Sequence, residues 1–67
     1  MSVARITEIS SSSNESFEDA IKQGVARANE TLHGIRSAWV KDLNVVVKNG
    51  KITEYHVTMK ISFVPKD

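Results

Sequence analysis

A chain of 67 residues with no cysteine can build one small core and neither a disulfide nor a thiolate metal site. Its nine basic and eight acidic residues are mixed along the sequence to a net charge of +1, so no basic run or stripe points to nucleic acid. Only two histidines are present, no apolar run approaches the ~20 residues of a membrane span, and "MSVARITEIS" lacks the continuous apolar segment of a signal peptide; the expectation is a single soluble, cytoplasmic domain over residues 1–67 that gains its missing buried surface by self-association.

Val3 to Ile9 reads as a short strand, with apolar Ile6 and Ile9 and β-branched Thr7. The serines Ser10 to Ser13 read as a loop that breaks it. Ser13 is the expected helix N-cap, because its hydroxyl can accept from free amides of the first turn. Asn14, Glu15 and Ser16 then form that turn, with Glu15 complementing the helix dipole. The helix runs to about Leu32, since Phe17, Ala20, Ile21, Val25, Ala28 and Leu32 recur at steps of three and four. Gly24 lies mid-helix beside this apolar stripe. A glycine there costs up to ~1 kcal/mol against alanine, and close approach to a strand accounts for it. His33 and Gly34 end the helix, with Gly34 suited to a left-handed cap.

Two long extended segments follow, Ile35 to Lys48 and Lys51 to Val64, joined by Asn49-Gly50. Asn-Gly between apolar runs is the strongest short-range hairpin signal, and it favours a type I′ turn. Pro65 stops the last strand. The element order is β-α-β-β. A two-residue turn sets Lys48 opposite Lys51, and without bulges that register carries on to Val40 opposite Met59. One face then carries Ala38, Val40 and Val46 beside Tyr55, Val57, Met59, Ile61 and Phe63, and must hold the helix. The other face carries Ser37, Trp39, Lys41, Leu43, Val45 and Val47, with Ile52, Glu54, His56, Thr58, Lys60 and Ser62. Trp39 falls across from Lys60, in an apolar row with Leu43, Val45 and Val47 that a monomer would leave wet.

No nucleophile-base-acid arrangement is visible. The serine cluster has no histidine at a recognisable spacing, the acids Glu8, Glu15, Glu18, Asp19 and Glu30 form no calcium loop, and "NGK" at Asn49 to Lys51 is turn chemistry. His33 at the helix end serves the dipole and cap. His56, mid-strand among polar residues, is either an exposed or interface histidine or a ligand contact. Trp39 is either a subunit contact or a stacking platform for a planar ligand, because an indole offers a broad π-face worth about 1 kcal/mol beyond area burial. Symmetry can bring two copies of Trp39 together around a slot.

The early strand, the serine-rich segment with "SFEDAI", the helix end "VARANETL" and the closing "ITEYHVTMKISF" resemble the dodecins over essentially the whole chain. The last stretch is the most specific, since dodecins typically end in a strand of the form Y/F-Q-V-T-x-K-V-x-F. The resemblance implies an α+β protomer of β-α-β-β order, with a three-stranded antiparallel sheet wrapped around one helix and twelve copies forming a hollow shell of cubic-type symmetry. It implies a flavin, riboflavin or FMN, stacked in pairs between tryptophans of neighbouring subunits, and a role in storage or sequestration without turnover. Flavin dodecins usually carry W-F-E-V just after the helix, where this chain has Ser37, Ala38, Trp39 and Val40. The stacking position is thus Ser37, and the tryptophan is displaced by two residues, about 6 to 7 Å along the same face of the strand. The flavin-contacting Gln of the family corresponds to His56.

The expected flavin site is therefore Trp39, with His56 hydrogen-bonding and Ser37, Lys41, Thr58 and Lys60 lining the neighbourhood. Ile35 to Val40, I-R-x-A-x-V, is also similar to dodecin relatives described as calcium binders, which lack the flavin tryptophan. The alternatives are accordingly a shell that holds a cation or a phosphorylated cofactor on charged residues at its symmetry axes, or a purely structural assembly with Trp39 as a subunit contact.

Overall fold

In a computed structural model, which describes residues 3–65, the chain forms β1 (Arg5–Ser13), α1 (Phe17–Thr31), β2 (Ile35–Lys48) and β3 (Lys51–Phe63). The order is the expected one. The three strands form an antiparallel sheet in the order β1-β3-β2, so the last strand is central. Local signals account for most of this. Asn49 and Gly50 both have positive φ, 52° and 74°, as a type I′ turn requires. Gly34 also has positive φ, 69°, although the helix cap itself is Leu32, whose amide donates to the Ala28 carbonyl at 2.8 Å.

Two local expectations are corrected. Ser10 to Ser13 are not a loop: they continue β1 and pair with Thr58, Val57, His56 and Tyr55. Serine has no strong preference against extended backbone, and the free partners on β3 decide the matter. The helix consequently starts later, at Phe17, and its N-cap is Ser16 rather than Ser13; the Ser16 hydroxyl accepts from the Asp19 amide at 3.0 Å. Ser13 instead braces the entry to the helix. Its buried hydroxyl accepts from the Glu15 amide at 2.9 Å and donates to Asp19 Oδ2 at 2.6 Å.

Ala20, Gly24 and Ala28, one helical turn apart, are the buried face of α1. They meet Val57, Met59 and Ile61 of β3, all at most 1% exposed. Phe17, Ile21, Val25 and Ile9 border this core, and the Phe17 ring meets that of Tyr55 edge-on at 5.1 Å. Small residues let the helix sit close: a Cβ on Gly24 would lie 2.6 Å from Met59 Cε and 3.0 Å from Ser11 Cβ. This is the strand approach expected of that glycine.

The register of the hairpin is the third correction. It begins as expected, with Lys48 opposite Lys51 and Val47 opposite Ile52, but slips at three irregularities. Thr53 is an extra residue on β3, and its hydroxyl donates to the Val46 carbonyl at 3.3 Å. Lys41 and Arg36 are extra residues on β2. Between Thr53 and Lys41 the pairing is displaced by one, so Val45 lies opposite Tyr55 and Leu43 opposite Val57. Cross-strand partners share a face, which puts Leu43 and Val45 on the helix side and Val46, opposite Glu54, on the outer side. By alternation Val47 and its partner Ile52 are on the helix side as well. The expected outer row of Trp39, Leu43, Val45 and Val47 does not exist; Trp39 alone belongs to that face. A hydrophobic pattern that is apolar on both parities cannot reveal such a slip.

The protomer is elongated, 52 × 19 × 13 Å with a radius of gyration of 13.8 Å, against about 11 Å for a compact chain of this length. Its exposed area is 5042 Å², roughly 800 Å² above the value for a compact monomer of its mass.

Candidate functional site

The outer face of the sheet is polar, and β3 runs along its middle. From the hairpin end, Glu54, His56, Thr58, Lys60 and Ser62 alternate onto it. The last four are flanked from both sides: His56 by Ser12 and Asn44, Thr58 by Ser10 and Asp42, Lys60 by Glu8 and Trp39, Ser62 by Ile6 and Ser37; Glu54 is flanked by Val46 alone. Trp39 is therefore opposite Lys60, as the sequence predicts, because the extra residues Thr53 and Lys41 cancel before it is reached. The residue is 45% exposed, and no part of α1 covers it from this side.

Around Trp39 the chemistry is a mixture of hydroxyls and charge. Ser37 and Ser62 share a hydrogen bond of 2.6 Å between their side-chain oxygens. Lys41, set free from the ladder by its bulge, reaches across β3 to Glu8, Nζ to Oε1 at 3.2 Å. Both partners are about half exposed, so solvent screens the pair and it contributes little to stability. Its effect is to orient: it fixes the Lys41 ammonium over the sheet near Lys60 and Trp39. Further along, His56 Nε2 contacts Glu54 Oε1 at 2.9 Å.

Ser37, Trp39, Lys41, Thr58 and Lys60 are thus brought together in one patch. His56 is on the same face but stands four residues from Lys60 along β3, about 13 Å away. Within one protomer Trp39 and His56 do not converge on a single small group. His56 instead borders a concavity of about 640 Å³ between β1 and α1, with Ser10, Ser12, Gln23 and Arg27 on its other walls. Glu54 and Glu8 were absent from the predicted site. Glu54 was legible as the residue two before His56 on the same strand face; Glu8 was not, because its reach to Lys41 depends on β1 pairing with β3. Among the described residues no three His, Cys, Asp or Glu side chains form a group that could hold a metal ion.

The dodecin family model matches residues 3–66. The chain belongs to the dodecin family. Solved dodecins share the fold over nearly the full length of both chains. A dodecin from Streptomyces davaonensis is 32% identical, with a TM-score of 0.93 over 98% of this chain and 97% of its own. A mutant of the Thermus thermophilus dodecin is 27% identical, with a TM-score of 0.93 and complete coverage of both chains. The calcium dodecin of Mycobacterium tuberculosis, a calcium-chelating antigen with a calcium-binding site, is 31% identical, with a TM-score of 0.83 over 96% of this chain and 91% of its own. No curated protein matches the chain. The β-α-β-β dodecin fold is therefore that of this chain, and none of its helices is long and apolar enough to cross a membrane among the described residues.

Proposed function

We propose that this dodecin assembles as a closed homododecamer that holds a flavin, FMN or riboflavin, without turnover, as a store or sequestering shell. The observation that carries the reading is the placement of Trp39: a half-exposed indole on the polar face of the sheet, next to Lys60 and the Ser37–Ser62 hydroxyl pair. An aromatic heterocycle gains from stacking there, and its polar edge finds donors beside it. One flat face of the ring has no cover within the protomer, so a symmetry-related copy supplies the other wall. His56 joins the site from a neighbouring copy, since it is too far from Trp39 in its own chain.

The test is a flavin fluorescence titration of the wild type and Trp39→Ala, with the mass of each assembly measured by light scattering. An indole stacked on the ring quenches flavin emission. The wild type is expected to quench and to have a mass near twelve times 7.4 kDa, about 89 kDa. Trp39→Ala should keep that mass and bind at least about tenfold more weakly, the loss of a stacking contact worth about 1.4 kcal/mol. Tight quenching that persists in the variant would place the ligand elsewhere.

The likeness to the calcium dodecin of Mycobacterium tuberculosis favours a second reading, a shell that takes a divalent cation. Single carboxylates such as Asp42 would then have to converge from several copies, because hard cations need six or more oxygen ligands. A colourless, non-quenching assembly that binds calcium in a titration would select this reading.

A further inference from the structure

Serine is not among the residues enriched in strands, yet Ser10 to Ser13 close β1. The fold uses two of the four. Ser13 braces the entry to the helix, and Ser11 is small enough to admit Gly24 of α1. Ser10 and Ser12 have no such task, and both line the concavity of about 640 Å³ between β1 and α1. On its helix wall Gln23, Arg27 and Thr31 stand in one row, each a turn from the next. No carboxylate lines the concavity. Asp19, one turn before Gln23, accepts from Ser13 and Gln23, and Glu54 contacts His56. Arg27 makes no salt bridge among the described residues, not even with Glu30 three positions along α1. The result is a walled space that offers one guanidinium and several hydroxyls, with no anion of the protein's own to answer them.

We propose that this concavity holds a phosphomonoester, with Arg27 binding its oxygens from the helix wall and the Ser10 and Ser12 hydroxyls from the strand wall. A guanidinium fork matches phosphate oxygens two at a time, and a serine hydroxyl donates to the oxygen that remains. A carboxylate presents two oxygens in one plane. A phosphoryl group presents three in different directions, which suits donors on two walls. The volume is that of a small-molecule site and exceeds the phosphoryl group alone, so the ligand carries an organic part. Two sources share this chemistry: an FMN whose ring lies on Trp39 of a neighbouring copy, and a separate phosphorylated metabolite. The first source rests on the flavin reading above, in which His56, at the border of this concavity, meets Trp39 of that copy. The site itself stands without it.

Ribose 5-phosphate, which has no aromatic ring, probes the site alone. Calorimetric titration of the purified protein should give a Kd below about 1 mM. Arg27→Gln should weaken it at least about tenfold, and Arg27→Lys, which keeps the charge but not the fork, should fall between the two. Fluorescence titrations with FMN and riboflavin then identify the source. FMN bound more tightly than riboflavin, with that preference erased in Arg27→Gln, assigns the phosphate to FMN. Equal affinities, with ribose 5-phosphate still bound, assign it to a separate molecule. Failure of both flavins overturns the flavin reading and leaves ribose 5-phosphate to decide this one. No binding of ribose 5-phosphate together with no FMN preference overturns the inference, and so does binding or preference that Arg27→Gln leaves unchanged. Should Arg27→Gln alter the mass of the protein, the double variant Ser10→Ala, Ser12→Ala decides, with the same loss expected.

Discussion

Replacing Gly24 with alanine sets helix propensity against packing at the closest approach of α1 to the sheet. In an open helix interior, glycine to alanine gains about 1 kcal/mol. Here the new methyl would stand 2.6 Å from Met59 Cε and 3.0 Å from Ser11 Cβ. Met59 is fully buried, and Ser11 is held in register against Val57, so neither yields freely. Forcing a methyl group into a closed core costs about 1–3 kcal/mol. The balance is a net loss of about 1 kcal/mol, which lowers the Tm of a domain this size by about 4–8 °C. Met59→Leu removes the Cε that causes the worst contact, so in that background Gly24→Ala should turn neutral or stabilising, with a coupling of about 1 kcal/mol in the double-mutant cycle. The assay is thermal unfolding of all four proteins at one protomer concentration, because assembly makes Tm depend on concentration. A rise in Tm on Gly24→Ala in the wild type, or additive effects within about 0.3 kcal/mol, would refute the packing account.

Gly50→Val should cost about 1–2 kcal/mol, and purely through backbone strain, since no neighbouring atom lies within 4 Å of the new Cβ and φ is 74°; Gly50→Asn, which tolerates the left-handed region, should cost clearly less in the same denaturation series. Ser16→Ala should destabilise by about 1 kcal/mol through loss of the cap to the Asp19 amide, read as a lower urea midpoint at unchanged slope.

Part of the candidate site was legible because two irregularities cancel. Trp39 opposite Lys60 and Ser37 opposite Ser62 follow from simple counting back from Asn49-Gly50, and the extra residue on β3 at Thr53 is offset by the one on β2 at Lys41. Between those two points the counting fails, and with it the outer apolar row. Leu43 and Val45 sit on the helix side because one more residue on either strand turns every side chain beyond it to the opposite face.

Much of what depends on a few consecutive residues was determined by the sequence itself: the type I′ turn at Asn49-Gly50, the left-handed Gly34, the helical stripe that includes Ala20 and Ala28, and the order of the four elements. Turn chemistry and helical periodicity act over one to four residues, so their physics is complete within the local string. The tertiary structure decided that β3 is central, that Ser10 to Ser13 extend β1, that Ser16 caps the helix, and which face Leu43, Val45 and Val47 occupy. Each of those outcomes rests on hydrogen-bond partners supplied from forty or so residues away in the case of β1, or on a single inserted residue in a strand that is apolar on both parities. Extended backbone is compatible with either register, and only the partner strand chooses.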